Sequence, residues 1–266
     1  MPVMHFVLNS KRGSGKTFVA WLLSQYKMDN SQPLKIIDCD PNLEISKFRA
    51  LKAKSVNLMK KEADGSINYD FEPVISLMKS SYSDLLFDFN SEQFNTVVNA
   101  IRKDDCYLLE QLNKLEIQLV VHMPVSGIEY ARADCISCVN EVLSTIPKLN
   151  VVVWLNHYPK PLFDDETPST ELFYTMFTDK GKLRYIVNLP QITKGDTITR
   201  ENDFKLLSYM LKEKRIFAEI LDPYRYKFAA NPSLNGVPVF ILTDYQIAFL
   251  RDDFEKEIDP IAEIVF

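Results

Sequence analysis

SKRGSGKT, residues 10–17, holds two of the chain's seven glycines directly ahead of a Lys-Thr pair. HFVLN (5–9) before it reads as a buried strand. After it, Val19, Leu22, Leu23 and Tyr26 repeat at helical spacing and predict a helix over 16–25. A strand, a glycine-bearing turn and a helix opening on Gly-Lys-Thr together form the layout of a phosphate cradle. The first amides of a helix lack intrahelical partners, and the helix dipole favours an anion beside them. Gly13 and Gly15 let the main chain approach phosphate oxygens with no Cβ in the way. The expected contacts are Gly13, Ser14, Gly15, Lys16, Thr17 and Phe18. Lys16 would reach the β- and γ-phosphates of ATP, and the Thr17 hydroxyl would coordinate Mg²⁺.

Outward from that loop, short apolar runs alternate with amphipathic stretches. LKIID (34–38), LLFDF (85–89), IQLVVHM (117–123), VVVWLN (151–156) and RYIVNLP (184–190) read as strands. Helical patches are expected at about 45–60 and 72–80, flanking an Asp64-Gly65 turn, then at 91–112 and 201–214. VPVFIL (237–242) reads either as a last strand or as the lead into a terminal helix around 243–258. Buried, nearly continuous apolar strands alternating with helices predict an α/β fold: three layers, αβα, around a mostly parallel central sheet. No linker divides the 266 residues, so one domain spanning 1–266 is expected.

Composition narrows the field. With 46% hydrophobic and 25% charged residues the chain reads as globular, and no apolar run is long enough to cross a bilayer. MPVMHFVLNS lacks the features of a secretion signal, so a cytoplasmic location is expected. Four cysteines in a chain this long do not suggest a disulfide framework. Cys135 and Cys138 form a C-x-x-C; they fit the apolar stripe of a helix with Val139 and Leu143 better than a zinc site, because no second ligand pair has suitable spacing. The net charge of −5 gives no global pull toward nucleic acid. One stretch, 179–215, carries nine basic and five acidic residues. A solvated face and a DNA or partner contact both remain open readings of it.

Strict Walker A spacing asks for glycine where this chain has Ser10. With Lys11 leading, K-x-G-x-G-K-T instead resembles the deviant Walker A loop of the ParA/MinD superfamily of P-loop proteins. Several blocks look like its conjugal-transfer branch, the TraL-like proteins: FVLNSKRGSGKTFVAWLLSQY, IIDCDPN, the Phe-Arg-Ala-Leu segment (48–51), INYDFEPVISLM, LLFDFNSEQF, VVVWLNHYPKPL, IVNLPQITK and, more weakly, LTDYQIAFLRDDF. The resemblance implies an ATP-dependent homodimerisation switch in plasmid transfer or maintenance, with a transfer or segregation protein as partner. It implies that Lys11 crosses to the partner's nucleotide. The D-x-D-P pair would supply Asp38 to the Mg²⁺ shell and Asp40 to orient the attacking water. Asp88 matches the Walker B carboxylate. Asn156 would hydrogen-bond adenine, although capping a turn is an equal use for it, and Pro190 would lie on the purine edge.

The chain also departs from that pattern. Arg12 stands where relatives usually have glycine, which would cost about 1–2 kcal/mol if φ is positive there. The residues after Asp88 lack the usual Pro or Gly. The acidic C-terminal stretch is unlike a basic amphipathic membrane anchor, so no membrane contact is expected. Two rival readings stand beside the switch. One is a degenerate P-loop scaffold that binds without turnover; the other is an ATP-dependent ligase of the dethiobiotin-synthetase kind.

Overall fold

Nine strands are found among the described residues. In chain order they are β1 (Val3–Val7), β2 (Leu34–Asp38), β3 (Lys54–Ser55), β4 (Met59–Lys61), β5 (Ile67–Tyr69), β6 (Asp84–Asp88), β7 (Gln118–Ser126), β8 (Asn150–Asn156) and β9 (Tyr185–Asn188). Helices α1 (Lys16–Asp29), α2 (Phe94–Arg102), α3 (Tyr107–Lys114) and α4 (Glu129–Thr145) lie between them. The computed structural model describes residues 2–72, 75, 76, 79, 83–102, 107–146, 149–157, 185–189, 207–216, 251–256, 258 and 259.

Among the described residues seven strands form one sheet in the order β3-β2-β6-β1-β7-β8-β9, and every described pair in it is parallel. The period-two alternation of β1 sends Met4 and Phe6 to one face and Val3 and Val7 to the other. The first face packs against α2, α3 and α4 through residues such as Phe94, Val97, Leu112, Cys135 and Val139. The second packs against α1 and helical residues 207–213, through Val19, Trp21, Leu22, Leu207 and Met210. Two cores on opposite faces of one mostly parallel sheet make the three-layer αβα architecture expected above.

Most elements lie within a few residues of their expected positions. β1 begins and ends two residues earlier, because its ladder with β7 starts at Val3 and Asn9 turns its side chain to the carbonyl of Pro124 at 2.9 Å. α1 continues past 25 to Asp29. The helix expected over 91–112 is described as two, α2 and α3.

The helix expected at 45–60 is absent. Two 3-10 turns (Ile45–Lys47 and Arg49–Leu51) are followed by β3 and β4. Asp38 holds both ends of this excursion. Its carboxylate accepts the Ser46 amide at 2.8 Å, and its carbonyl accepts the Val56 amide at 3.1 Å. A chain returned to the same residue after ten positions leaves no room for a long helix. The Asp64-Gly65 turn forms as read, closing the antiparallel β4–β5 hairpin with Gly65 at φ +84°. Of 72–80, residues 72, 75, 76 and 79 are helical. The alternative readings of 237–242 lie outside the described residues, as does Cys106.

Candidate functional site

β1 lies at the topological switch point, with β6 on one side and β7 on the other, so the crevice opens at the carboxyl ends of these strands. Register brings the acidic residues together there. Val7 pairs with Asp88, and Asp88 pairs with Asp38, so three neighbouring strands end in one row. On the other side Ser126 pairs with Asn156.

The loop after β1 takes the shape of a cradle. Gly13 has φ +80° and Gly15 has φ +101°, both in the left-handed region that favours glycine. Arg12 has no positive φ and is exposed, so the strain considered for it does not arise. Gly15 caps α1 with no side-chain hydrogen bond, and no acidic residue occupies the first turn. The positive end of the helix is thus left to an external anion. A Cβ on Gly15 would fall 2.4 Å from Nδ2 of Asn156, whereas one on Gly13 would meet nothing within 4 Å.

Lys16 is 8% exposed. Its ammonium donates to the carbonyl of Lys11 at 3.0 Å and lies 3.5 Å from the hydroxyl of buried Ser14. Among the described residues no carboxylate comes within ion-pair distance of it. Burial pulls its pKa below the ordinary lysine value, while Asp88 and Asp40 pull the other way. A desolvated ammonium without an ion-pair partner, at an uncapped helix start, is built for an anion.

Thr17 donates its hydroxyl to Oδ2 of Asp88 at 2.9 Å. Asp88 is fully buried, and burial raises its pKa to about 7, with Asp38 adding to the rise and Thr17 and Lys16 opposing it. Its Oδ1 has no hydrogen-bond partner among the described residues. An orphaned, buried carboxylate oxygen beside a threonine hydroxyl fits a hard cation and its water. The other acids are occupied differently. Asp38 accepts the amides of Asp40 at 3.0 Å and Ser46 at 2.8 Å. Oδ1 of Asp40 accepts the amide and side chain of Asn42 at 2.8 and 3.1 Å. Among the described residues no group of three or more His, Cys, Asp or Glu could hold a metal ion alone. A cation here would depend on Thr17 and on oxygens brought by a ligand.

Other expected site residues take positions that sequence does not disclose. The Lys11 ammonium forms an ion pair with Asp134 of its own α4 at 2.6 Å. The Phe18 side chain is in the core, with its ring centroid 5.7 Å from Trp21, so it offers the loop only its backbone amide. Asn156 is 2% exposed, and its Nδ2 is turned under the loop, 3.5 Å from the carbonyl of Ser14. Pro190 lies outside the described residues, as does most of 179–215. Asn9, Asp134 and Cys138, which is 2.6 Å from the Ser10 hydroxyl, were not singled out as loop residues. Asn9 is the one legible candidate, as a polar residue ending an apolar strand; Asp134 and Cys138 lie 123 and 128 positions from the loop residues they meet, Lys11 and Ser10.

No family model matches the chain. Two curated Escherichia coli proteins, each named Protein TraL, are similar to it. One is 29% identical over 264 residues, covering 98% of this chain and 99% of that protein. The other is 28% identical over 223 residues, covering 83% and 88%. Among solved structures, the septum site-determining protein MinD complexed with Mg-ADP from Pyrococcus horikoshii aligns with 100% of this chain and 99% of its own, at TM-score 0.46 and 16% identity. A plasmid partition protein from Borrelia burgdorferi bound to AMPPNP aligns with 97% and 100%, at TM-score 0.43 and 13% identity.

Proposed function

We propose that this TraL-like chain of the ParA/MinD type is a Mg-ATP-binding P-loop protein that acts as an ATP-dependent dimerisation switch in plasmid transfer or maintenance. The observation that carries the nucleotide reading is the buried Lys16 ammonium, without an ion-pair partner among the described residues, at the uncapped start of α1. Near full-length similarity to one protein named TraL supports the setting.

In this reading Gly13, Ser14, Gly15 and the first amides of α1, including that of Phe18, surround the phosphates. Lys16 exchanges its bond to the Lys11 carbonyl for phosphate oxygens. Thr17 and Asp88 would hold Mg²⁺ or its water, with Asp38 behind them. The cation would neutralise developing phosphate charge. Most of the acceleration then comes from positioning and charge compensation, because phosphoryl transfer requires little covalent help. Asp40 orients the attacking water. Lys11 leaves Asp134 to neutralise charge on a second subunit's nucleotide. Asn156 and Pro190 are assigned to the base, with Asn156 also supporting the loop from below.

One observation favours a second reading, nucleotide retention without turnover: Asp40 is engaged by Asn42. Sedimentation and phosphate release with ATP separate the two. The switch predicts ATP-dependent dimers that Lys11→Ala abolishes while monomer binding survives. Dimers unaffected by Lys11→Ala remove the crossing lysine, and stoichiometric ATP retention without phosphate release establishes the second reading.

A further inference from the structure

The residues that follow Asp88, Phe89-Asn90-Ser91-Glu92-Gln93, contain neither Pro nor Gly. Side chains shape the passage from β6 into α2 instead. The Asn90 amide donates to Oε1 of Gln93 at 3.0 Å, and the Gln93 amide donates to Oδ1 of Asn90 at 3.0 Å. This is a reciprocal pair of the capping-box kind, placed just ahead of α2. It leaves Nε2 of Gln93 for another partner. That atom donates at 2.8 Å to the carbonyl of Cys39, the residue between Asp38 and Asp40. Gln93 is 6% exposed and Cys39 is 7% exposed, so the bond is made away from water, where an unmet carbonyl is costly.

Cys39 is held on its other side by the same segment, because its amide donates to the carbonyl of Asp88 at 3.0 Å. Both main-chain groups of the residue between the two D-x-D-P acids therefore end on the stretch that begins at Asp88. We propose that Gln93 is a positioning residue that couples the two acidic segments of the site, fixing the Cys39 peptide, and with it Asp40, to the segment carrying Asp88. A shift of 88–93 is then passed to Asp38 and Asp40, and onward to Ser46, whose amide Asp38 accepts. Gln93 acts through Cys39 and not on the nucleotide, since both polar atoms of its side chain are engaged within the fold.

A helix cap alone does not account for this arrangement. Capping uses Oε1 and the main-chain amide of Gln93, and a glutamate would serve it equally well. The bond to Cys39, 54 positions away, needs the side-chain amide donor that a carboxylate lacks. The effect on turnover rests on the function proposed above; the bridge itself does not.

The experiment is amide hydrogen exchange without nucleotide, at about pH 8 so that an introduced glutamate is ionised, read over residues 39–46 and over α2. It compares the wild type with Gln93→Met, Gln93→Glu and Asn90→Ala. Methionine lacks the donor at similar volume, and glutamate keeps the acceptor for Asn90 without the donor. Asn90→Ala removes one cap bond and keeps the bridge. Exchange over 39–46 should rise at least about 5-fold in both Gln93 variants and stay at the wild-type rate in Asn90→Ala. With Mg-ATP, Gln93→Glu should release phosphate at least about 10-fold more slowly at saturation, while its ATP affinity changes by less than about 3-fold. Circular dichroism verifies each fold, and Gln93→Glu carries the test if Gln93→Met does not fold. Unchanged exchange over 39–46 in a folded Gln93 variant, or an equal rise in Asn90→Ala, overturns the proposal. So does a loss of affinity that matches the loss of rate. Raised exchange over 39–46 in a protein that fails to bind or hydrolyse ATP contradicts only the function proposed above.

Discussion

At Gly15 two independent demands fall on one residue. Its φ of +101° strains any L side chain, and the Nδ2 of Asn156 occupies the place of a Cβ at 2.4 Å. Gly13 faces only the first demand, at φ +80° with open space around it. Gly15→Ala should therefore displace the loop and abolish ATP binding, with a stability loss of more than about 2 kcal/mol. Gly13→Ala should lose about 1–2 kcal/mol and keep measurable binding. Chemical denaturation alongside nucleotide titration ranks the two; equal effects would mean that the Asn156 contact does not shape the loop.

At the level of elements, α1 is joined to the sheet by more than apolar packing. Lys27, near its C-terminal end, forms an ion pair with Asp84 of β6 at 2.6 Å, with side chains 2% and 13% exposed. Asp84 also accepts the amide of Val3 in β1 at 2.7 Å, so one carboxylate joins α1, β6 and β1. Removing one partner of a buried pair leaves an uncompensated charge, and Lys27→Met should destabilise by about 3–5 kcal/mol. Urea denaturation measures it, and a change below about 1 kcal/mol would show the pair to be solvated. On the same face of the sheet, His5 lies 3.0 Å from His122, which accepts the Trp154 indole N–H at 3.0 Å.

For the whole molecule, those histidines and Asp88 set opposite pH trends. Burial, reinforced by nearby cationic groups, lowers His5 well below the ordinary histidine value, and burial lowers His122 to about 3. Below pH 6.5 the unfolded chain takes up protons that the folded chain refuses, so these groups withdraw stability as pH falls from about 6.5 toward 3. Asp88 acts oppositely. Raised to about 7, it takes up its proton earlier when folded, and its contribution is present in acid and lost as pH rises through 7. In an Asp88→Asn variant the histidine trend should lose the opposition of Asp88, and stability should fall between about pH 7.5 and 5, by roughly 2 kcal/mol from His122 alone, with His5 adding to the loss. The wild type should lose less. A flat profile in the variant would show that the histidines titrate in the fold.

Much of this molecule was legible from local pattern. The P-loop, the strand carboxyl ends at Asp38 and Asp88, and the cysteine-bearing helix all depend on short-range periodicity and on residue types with one dominant use. What failed depended on distance. The 45–60 stretch reads as a helical patch beside the Asp64-Gly65 turn, and nothing local announces that Asp38 will take the Ser46 and Val56 backbone amides. The Lys11–Asp134 pair was illegible for the same reason, spanning 123 positions. Asn156 reads toward a base, and its further place under Gly15, set by the parallel register of β7 and β8, is a contact that no local pattern announces.

The most direct measurement is calorimetric titration of Mg-ATP into the wild-type protein and into Lys16→Ala. Saturable binding by the wild type, absent from a folded Lys16→Ala protein of equal or greater stability, is the predicted result, since the variant loses a buried ammonium without an ion-pair partner among the described residues. Equal affinity in both proteins, or no binding by the wild type, would contradict the phosphate cradle and the account built on it.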